Sequence, residues 1–273
     1  MSARPDLPGY RTLLTDVDGG VATITLNRPR QRNAVGDGMR EELADAYRTL
    51  GRDDRVRVIV LTGTPPAFCA GADLAPGEDT FAEPGAGFSA AGVDVPAWTL
   101  PKPVIAAVNG HAIGLGLTLA LQCDIRFFAA EGRYGVVQVR RGVVGDAYSH
   151  WVLPRLVGIA NAAEILLSGA TFDGVRAVEL GLGSRVLSAD EVLPAARELA
   201  RDIAVNAAPM SVAASKRLLW DSFDLDRAAV GDRETEIHVR LMGHEDAKEG
   251  VRAFLQRRAP VWTGDPVDPT GGD

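Results

Sequence analysis

The sequence predicts an α/β fold, in which a layered core of strands and helices is followed by a helical C-terminal region. Short segments rich in β-branched residues alternate with segments of helical periodicity over the first two-thirds of the chain. The last third is almost wholly helix-patterned. Glycine-rich turns follow two of the strand-like segments, where α/β folds place their ligands. The chain of 273 residues is long enough to bury one large core and a small helical subdomain.

Four segments are predicted to form strands. Val21–Leu26 alternates between apolar and polar residues and ends at the turn sequence NRP. Arg55–Gly63 and Pro103–Val108 are β-branched or apolar runs, as expected of parallel strands that are buried on both faces. Asp124–Ala130 is a further strand of the same kind. Helices are predicted over Asp37–Leu50, Ala160–Leu167, Val175–Leu180, Glu191–Val205, Met210–Trp220, Arg227–Leu241 and Asp246–Arg258.

Composition limits the classes of function. The chain has 29 basic and 36 acidic residues and a net charge of −7, with no basic stripe, so nucleic acid is not expected as a partner. Cys69 and Cys123 lack metal-site spacing and are predicted to be free thiols in a reducing compartment. The four histidines are scattered, so no metal site is expected. The uncharged stretch Pro103–Cys123 has the pattern of a strand, a turn and a helix, which favours a cytoplasmic protein without a membrane span.

Two short glycine-containing loops are the candidate ligand site. FCAGAD (Phe68–Asp73) and HAIGLG (His111–Gly116) each follow a strand-like segment, and the second opens a helix. Backbone N–H groups that converge from two loops suit a developing enolate or tetrahedral oxyanion. Alternatively, the glycines only permit tight packing between helix and strand. Neither loop has the GxGxxG pattern of a dinucleotide site or the GK[ST] of a P-loop.

Several motifs together resemble the crotonase, or enoyl-CoA hydratase/isomerase, superfamily. They are LNRP with NA (Leu26–Pro29, Asn33–Ala34), AFCAGADL (Ala67–Leu74), KPVIAAVNGHAIGLG (Lys102–Gly116), CDIR (Cys123–Arg126) and LPRLVG (Leu153–Gly158). The resemblance implies a spiral of ββα units over residues 1–205, with a C-terminal helical trimerisation subdomain over residues 206–262. It also implies a homotrimer or a hexamer built as a dimer of trimers. An acyl-CoA thioester would be the substrate, and no separate cofactor is expected. Residues 263–273 are predicted to form a disordered tail.

The same resemblance assigns roles at the two loops. The oxyanion would be held by the backbone N–H groups of Ala70 and Leu115, and the Leu115 side chain would narrow the acyl pocket. Hydratases of the family hold one water with two glutamates, whose positions here are Thr118 and Gln138. Neither residue accepts a proton near neutral pH. Hydration by two carboxylates is therefore expected to be impaired.

Asp146 is the remaining acid of this region. Other branches of the superfamily have a matching aspartate as an acid/base or as a nucleophile, and burial after the Gly-Val-Val-Gly run would raise its pKa. The alternative is that Asp146 caps a helix that begins near Ala147. The favoured hypothesis is isomerisation of an enoyl-CoA double bond by Asp146. Hydration at a non-standard site, nucleophilic chemistry and a non-catalytic acyl-CoA-binding protein are the alternatives.

Contacts with CoA are also implied by the resemblance. The nucleotide and pantetheine would contact two segments around the loops and the C-terminal helix of a neighbouring subunit. The candidate contacts are Arg30, Arg32, Ala34, Cys69, Ala70, Gly71, Ala72, Asp73, Leu74, Gly114, Phe254 and Arg257. Asp73 and Asp124 are expected to hold loops through hydrogen bonds. Arg140 and Arg141 would bind a polar acyl end or lie in solvent, and Ala75–Pro96 is predicted to be a long loop that forms a pocket wall or lid.

Overall fold

A six-stranded sheet forms the centre of the computed structural model, which describes residues 9–36, 38–82 and 88–266. Its strands are β1 (Leu13–Asp18), β2 (Val21–Leu26), β3 (Val58–Gly63), β5 (Val104–Val108), β7 (Ile125–Ala129) and β9 (Arg185–Leu187), adjacent in that order. The β1–β2 pair is antiparallel and every other pair is parallel. The four predicted strands are therefore confirmed, and they share one sheet.

A second, three-stranded parallel sheet lies at the ends of the central strands. It consists of β4 (Ala67–Cys69), β6 (His111–Ile113) and β8 (Tyr134–Gly135). Two of these short strands belong to the glycine-containing loops. The small sheet therefore holds the two loops side by side.

Eight helices surround the sheets within the described residues. They are α1 (Met39–Arg52), α2 (Leu115–Leu121), α3 (Ser149–Ser168), α4 (Gly174–Glu179), α5 (Ala189–Asn206), α6 (Pro209–Asp221), α7 (Arg227–Met242) and α8 (Glu245–Gln256). The helix predicted from Asp37 begins at Met39, and Asp37 itself lies outside the described residues. The helical C-terminal region is confirmed by α6, α7 and α8.

The core has two parts, one on each face of the central sheet. Along β3, Ile59 belongs to one hydrophobic cluster, whereas Val58 and Val60 belong to the other. Helix α5 covers the second cluster with small residues such as Ala196 and Ala200. Burial on both faces explains why β3 is continuously apolar, as parallel strands in α/β layers are.

Helix α3 is, in the part of the chain that the structure describes, the one helix long and apolar enough to cross a membrane. Its backbone is interrupted at Gly158, which has φ 74° and ψ 162°. Val152, Leu153 and Ile165 on this helix pack into the main hydrophobic cluster. Contacts within the core thus account for part of its apolar character.

The first residues of the predicted tail (residues 263–273) are hydrogen-bonded to the folded part of the chain. Thr263 N–H and Gly264 N–H donate to the Asp246 carboxylate at 2.8 and 3.0 Å. The prediction of disorder from residue 263 is therefore wrong for these two residues, because Asp246 at the start of α8 binds their backbone. Residues 267–273 lie outside the described part of the chain.

Asp124 joins three parts of the fold, as expected of a residue that holds loops. Its carboxylate accepts from Val104 N–H at 2.6 Å and from Trp220 Nε1 at 2.7 Å. Lys216 Nζ lies 2.8 Å away and also donates to the carbonyls of Ala97 and Lys102. The buried ion pair between Lys216 and Asp124 therefore connects α6 to the central sheet.

We expect the Asp124→Ala variant to lose about 3–5 kcal/mol of unfolding free energy, because it leaves Lys216 as a buried, unpaired cation. Urea unfolding followed by circular dichroism measures this loss. Glu245→Ala is the control, since the Glu245–Lys248 pair is exposed and contributes little. An Asp124→Ala midpoint equal to that of the control would contradict the role of the buried pair.

Candidate active site

A cavity of about 390 Å³ lies where the two glycine-containing loops meet. The cavity is lined by both loops, the start of α1, the segment before α3 and part of the predicted loop Ala75–Pro96. The lining residues are Val35, Arg40, Ala70, Gly71, Ala72, Asp73, Leu74, Thr80, Phe81, Phe88, Ala90, Ile113, Gly114, Leu115, Val137, Gln138, Arg141, Val143, Val144 and Asp146. Thr80, Phe88 and Ala90 confirm that residues of the predicted loop form a pocket wall, although residues 83–87 lie outside the described chain.

Glycines allow the two loops to approach backbone to backbone. A Cβ at Gly116 would lie 2.1 Å from the Cys69 carbonyl oxygen, and one at Gly71 would lie 2.5 Å from the Ile113 carbonyl oxygen. Gly71 also has a φ of +90°, which L side chains rarely adopt. The glycines therefore serve tight packing, and that packing also brings N–H groups of both loops to one place.

The resemblance implied that Ala70 N–H is the first oxyanion donor, but in the structure this N–H already has a backbone partner. Ala70 N–H already donates to the Arg32 carbonyl at 3.0 Å. Both neighbours of Ala72 in the chain are hydrogen-bonded to Val35. The Gly71 carbonyl accepts from Val35 N–H at 2.7 Å, and Asp73 N–H donates to the Val35 carbonyl at 3.1 Å. The N–H of Ala72 consequently faces the opposite side, toward the cavity that Ala72 lines. Among the described residues it donates to no backbone carbonyl, and Ala72 replaces Ala70 as the candidate donor.

Leu115 supplies the second candidate donor. It is the first residue of α2, and its N–H has no partner within the helix. The position of a Cβ on Gly71 lies 3.5 Å from this nitrogen, so the two donor loops are in contact here. The Leu115 side chain is buried and packs toward Gly92 and Ala147. It lines the cavity, and the expected narrowing of the acyl pocket by this side chain stays a prediction.

Asp146 lies beside both positions that the resemblance assigns to glutamates. The Thr118 hydroxyl donates to Asp146 Oδ1 at 2.7 Å, and Thr118 is fully buried. Burial raises the pKa of Asp146, whereas the Thr118 hydrogen bond, the nearby Gln138 amide and the charge of Arg40 oppose the rise. A raised pKa is the direction of shift that favours proton transfer by a carboxyl.

The capping alternative for Asp146 is wrong. Helix α3 begins at Ser149, and its N-cap is Tyr148, without a side-chain hydrogen bond. The Asp146 side chain points instead to Thr118. Ala147 and Tyr148 have φ values of +47° and +61°, so the chain turns through a strained conformation directly after Asp146. Strained non-glycine residues cluster at functional sites, and here they direct the carboxyl into the cavity.

Gln138 borders the same space with a buried amide that faces the Asp146 carboxylate. Its exposed fraction is 7%. The amide lies near Asp146 and against Gly114, but neither Nε2 nor Oε1 has hydrogen-bond geometry with a described residue. Asp146, Thr118 and Gln138 thus form one cluster, as the sequence predicted.

The predicted CoA contacts divide into two groups. Six of them line the cavity: Ala70, Gly71, Ala72, Asp73, Leu74 and Gly114. Asp73 also forms a 2.8 Å ion pair with Arg28, which confirms its expected role in holding the loop. Ala34 and Cys69 are buried and do not line the cavity, and burial raises the pKa of the Cys69 thiol to about 12.

Four further predicted contacts lie outside the cavity. Arg30 and Arg32 are exposed on the neighbouring turn. Phe254 and Arg257 are exposed at the end of α8. Their assignment to CoA stays a prediction.

Arg40 is a cavity residue that the sequence did not indicate. It lies in the first turn of α1, on a partly exposed position that helical periodicity alone assigns to solvent. Of the two arginines considered for the acyl end, Arg141 lines the cavity, whereas Arg140 donates to the Ser168 carbonyl at 2.8 Å. Within the described ranges, no group of three or more His, Cys, Asp or Glu side chains could hold a metal ion.

Comparison with known proteins gives a consistent result. The family model described as "Enoyl-CoA hydratase/isomerase" matches residues 16–265. The chain is 34% identical over 269 residues to 1,2-epoxyphenylacetyl-CoA isomerase of Escherichia coli, covering 92% of this chain and 98% of that one. It is 35% identical over 261 residues to a "probable enoyl-CoA hydratase" of Mycobacterium leprae, covering 93% and 98%. A crystal structure of a "probable enoyl-CoA hydratase/isomerase" from Mycobacterium abscessus has a TM-score of 0.90 and 54% identity, covering 93% and 99%.

Proposed function

Because the chain belongs to the enoyl-CoA hydratase/isomerase family and has the crotonase fold, we propose that it isomerises a carbon–carbon double bond of an acyl-CoA thioester. One observation carries the proposal. Two of the described residues that line the cavity carry a carboxylate. Asp73 forms an ion pair with Arg28, whereas Asp146 accepts a hydrogen bond from Thr118. One base is sufficient for moving a double bond.

The proposed reaction uses this base twice. The Asp146 carboxylate takes a proton from the α-carbon of a 3-enoyl thioester, and the C–H electron pair moves into the thioester to give a dienolate. The N–H groups of Ala72 and Leu115 hold the dienolate oxygen, a type of contact in which each donor is worth about 3–4 kcal/mol. Asp146 then returns the proton to the γ-carbon. The double bond has moved by one position, and no atom has been gained or lost.

The neighbours of Asp146 favour isomerisation over hydration. Thr118 is a hydrogen-bond donor to Asp146, and the Gln138 amide cannot accept a proton. A water molecule would therefore lack the second carboxylate that a two-glutamate site supplies. A similar Escherichia coli protein is also named as an isomerase of a CoA thioester, with an epoxide as its named substrate.

Hydration is the second candidate, because the similar Mycobacterium leprae protein is named as an enoyl-CoA hydratase. A panel of 2-enoyl, 3-enoyl, dienoyl, aryl and branched CoA thioesters, followed by mass spectrometry and diene absorbance, separates the two. Conversion without a change of mass supports isomerisation. Gain of one water from a 2-enoyl thioester would favour hydration, and binding without turnover would indicate an acyl-CoA carrier.

Removing the Thr118 hydroxyl is expected to change the pH dependence. Its hydrogen bond favours the charged carboxylate, so in Thr118→Val the pKa of Asp146 rises further and the acidic limb of the rate profile moves to higher pH. Thr118→Ser keeps the hydroxyl and is expected to keep the limb. The measurement is kcat/KM against pH for the three proteins, and an unmoved limb in Thr118→Val would contradict the coupling.

Assembly into a homotrimer or hexamer in the cytoplasm also belongs to the proposal. Helix α8 of the single chain exposes three large apolar residues, which are Val251, Phe254 and Leu255. Contact with a second subunit would cover them and bring Phe254 and Arg257 to a bound CoA. Sedimentation velocity of the full chain tests the oligomeric state.

A further inference from the structure

Two arginines line the cavity, and the proposed reaction uses neither of them. Arg40 lies in the first turn of α1, and Arg141 is the last residue of a 3₁₀ turn over Gln138–Arg141. Neither guanidinium forms a hydrogen bond or an ion pair with another described residue. Each carries five N–H donors and a permanent positive charge. Two such groups on one cavity wall are suited to hold an anionic part of a ligand.

The charges around the cavity leave one positive charge in excess. The charged residues in the described lining are Arg40, Arg141, Asp73 and Asp146. Asp73 is already neutralised by its 2.8 Å ion pair with Arg28. An ionised Asp146 balances one of the two cavity arginines, and the other arginine has no counter-charge in the described lining. A ligand that brings one negative charge would therefore neutralise the cavity.

Both arginines lie on the side of the cavity where the acyl group reacts. Arg40 is near enough to Asp146 for its positive charge to oppose the rise in the pKa of that carboxyl. Arg141 ends the turn that begins with Gln138, whose amide also faces Asp146. In the proposed reaction Asp146 acts on the α- and γ-carbons. The two arginines assigned to CoA by the resemblance lie outside this cavity.

We propose that Arg40 and Arg141 together bind a carboxylate at the far end of the acyl group, so that the preferred substrate is the CoA thioester of a dicarboxylic acid. The planar guanidinium matches a carboxylate through two parallel hydrogen bonds. This inference rests on the proposed function for the placement of the acyl chain.

The position of the new carboxylate is limited by Asp146. A carboxylate close to the reacting carbons would be repelled by the ionised Asp146, so it must lie beyond the γ-carbon. The α- and γ-carbons then keep the hydrogens that the proposed isomerisation moves. One CH₂ group between the γ-carbon and the carboxylate separates the two acids, and hexanedioyl-CoA is the shortest thioester with this spacing.

The test uses three thioesters that differ at the end of the acyl chain. Calorimetry measures the Kd of hexanedioyl-CoA, its monomethyl ester and hexanoyl-CoA with the full-length protein, and mass spectrometry verifies that each ligand stays intact. The ester has nearly the shape of the diacid but no charge at that end. We expect the diacid to bind about ten- to a hundredfold more tightly than the other two.

Arg140 provides the matched control variant. It precedes Arg141 in the same turn, but it donates to the Ser168 carbonyl at 2.8 Å and does not line the cavity. The double variant with Arg40→Met and Arg141→Met should lose the preference for the diacid and keep the Kd of hexanoyl-CoA. Its Tm should not fall, because neither side chain is paired within the described residues. Arg140→Met should retain the preference.

Three results would overturn the carboxylate site. They are equal Kd values for the diacid and its ester in the wild type, a preference that survives in the double variant, and an equal loss of preference in Arg140→Met. A double variant that binds all three thioesters more weakly by the same factor would assign the arginines to the phosphates of CoA and contradict the inference as well.

The outcomes also separate this inference from the proposed function. Isomerisation of a plain 3-enoyl thioester can still be observed when the diacid is not preferred, since it depends on Asp146. Conversely, an arginine-dependent preference for the diacid in a protein that hydrates its substrates would contradict the proposed function and retain the carboxylate site.

Discussion

Replacing Asp146 with asparagine is expected to lower the rate of double-bond isomerisation by about 10²- to 10⁴-fold. Asparagine has nearly the same shape and still accepts a hydrogen bond from the Thr118 hydroxyl, but it cannot carry a proton. The Kd of an acyl-CoA thioester should remain close to that of the wild type, because the candidate oxyanion donors are backbone groups. Steady-state kinetics and calorimetry on the same preparation measure both quantities.

Stability provides a second readout for Asp146→Asn. Burial raises the pKa of Asp146 in the folded state above its value in the unfolded chain. The protonated carboxyl therefore favours folding at a pH below the unfolded pKa, and this contribution to stability is lost as the pH rises through the folded pKa. The asparagine variant should therefore be at least as stable as the wild type at neutral pH and lose that advantage in acid. A variant that is inactive because it is poorly folded would show the opposite, a lower Tm at neutral pH.

Gly116→Ala is expected to damage both the fold and the site. The new Cβ would lie 2.1 Å from the Cys69 carbonyl oxygen, and that atom is backbone, so α2 and β4 must separate. We expect a loss of about 1–3 kcal/mol in unfolding free energy. Displacement of the Leu115 N–H would also lower kcat by about 10²- to 10³-fold.

Gly231→Ala is the matched control for this substitution. Gly231 lies within α7 with nothing within 4 Å of an added Cβ, so the change should stabilise the protein by roughly 0.5–1 kcal/mol. Thermal unfolding and turnover of both variants test the contrast. Wild-type activity in Gly116→Ala would show that the close approach of the two loops is not needed for catalysis.

The sequence predicts four of the six strands of the central sheet, because these four are alternating or continuously apolar runs, whereas β1 and β9 were not predicted. Val21–Leu26 is predicted with the bounds that the structure has, and Arg55–Gly63 differs only at its first residues. The small sheet was not predicted, since strands of two or three residues such as Tyr134–Gly135 are too short to show a period.

The site shows what patterns in the sequence cannot determine. Asp146, Thr118 and Gln138 were predicted as one cluster, because the resemblance places each of them at a matching position. The choice between Ala70 and Ala72 depends on which N–H faces the cavity, and this is decided by the pairing of the loop with Val35. No pattern in the sequence reports such a distant backbone contact.

The central claim is that one carboxyl moves a proton without positioning water for attack. The most direct measurement is mass spectrometry of the wild-type reaction with a 3-enoyl-CoA thioester in deuterated water, beside Asp146→Asn. The account predicts a 2-enoyl product that has gained no water, is recognised by the absorbance of its conjugated thioester, and forms about 10²- to 10⁴-fold more slowly in Asp146→Asn. A hydrated thioester as the first product, or an unchanged rate in Asp146→Asn, would contradict it.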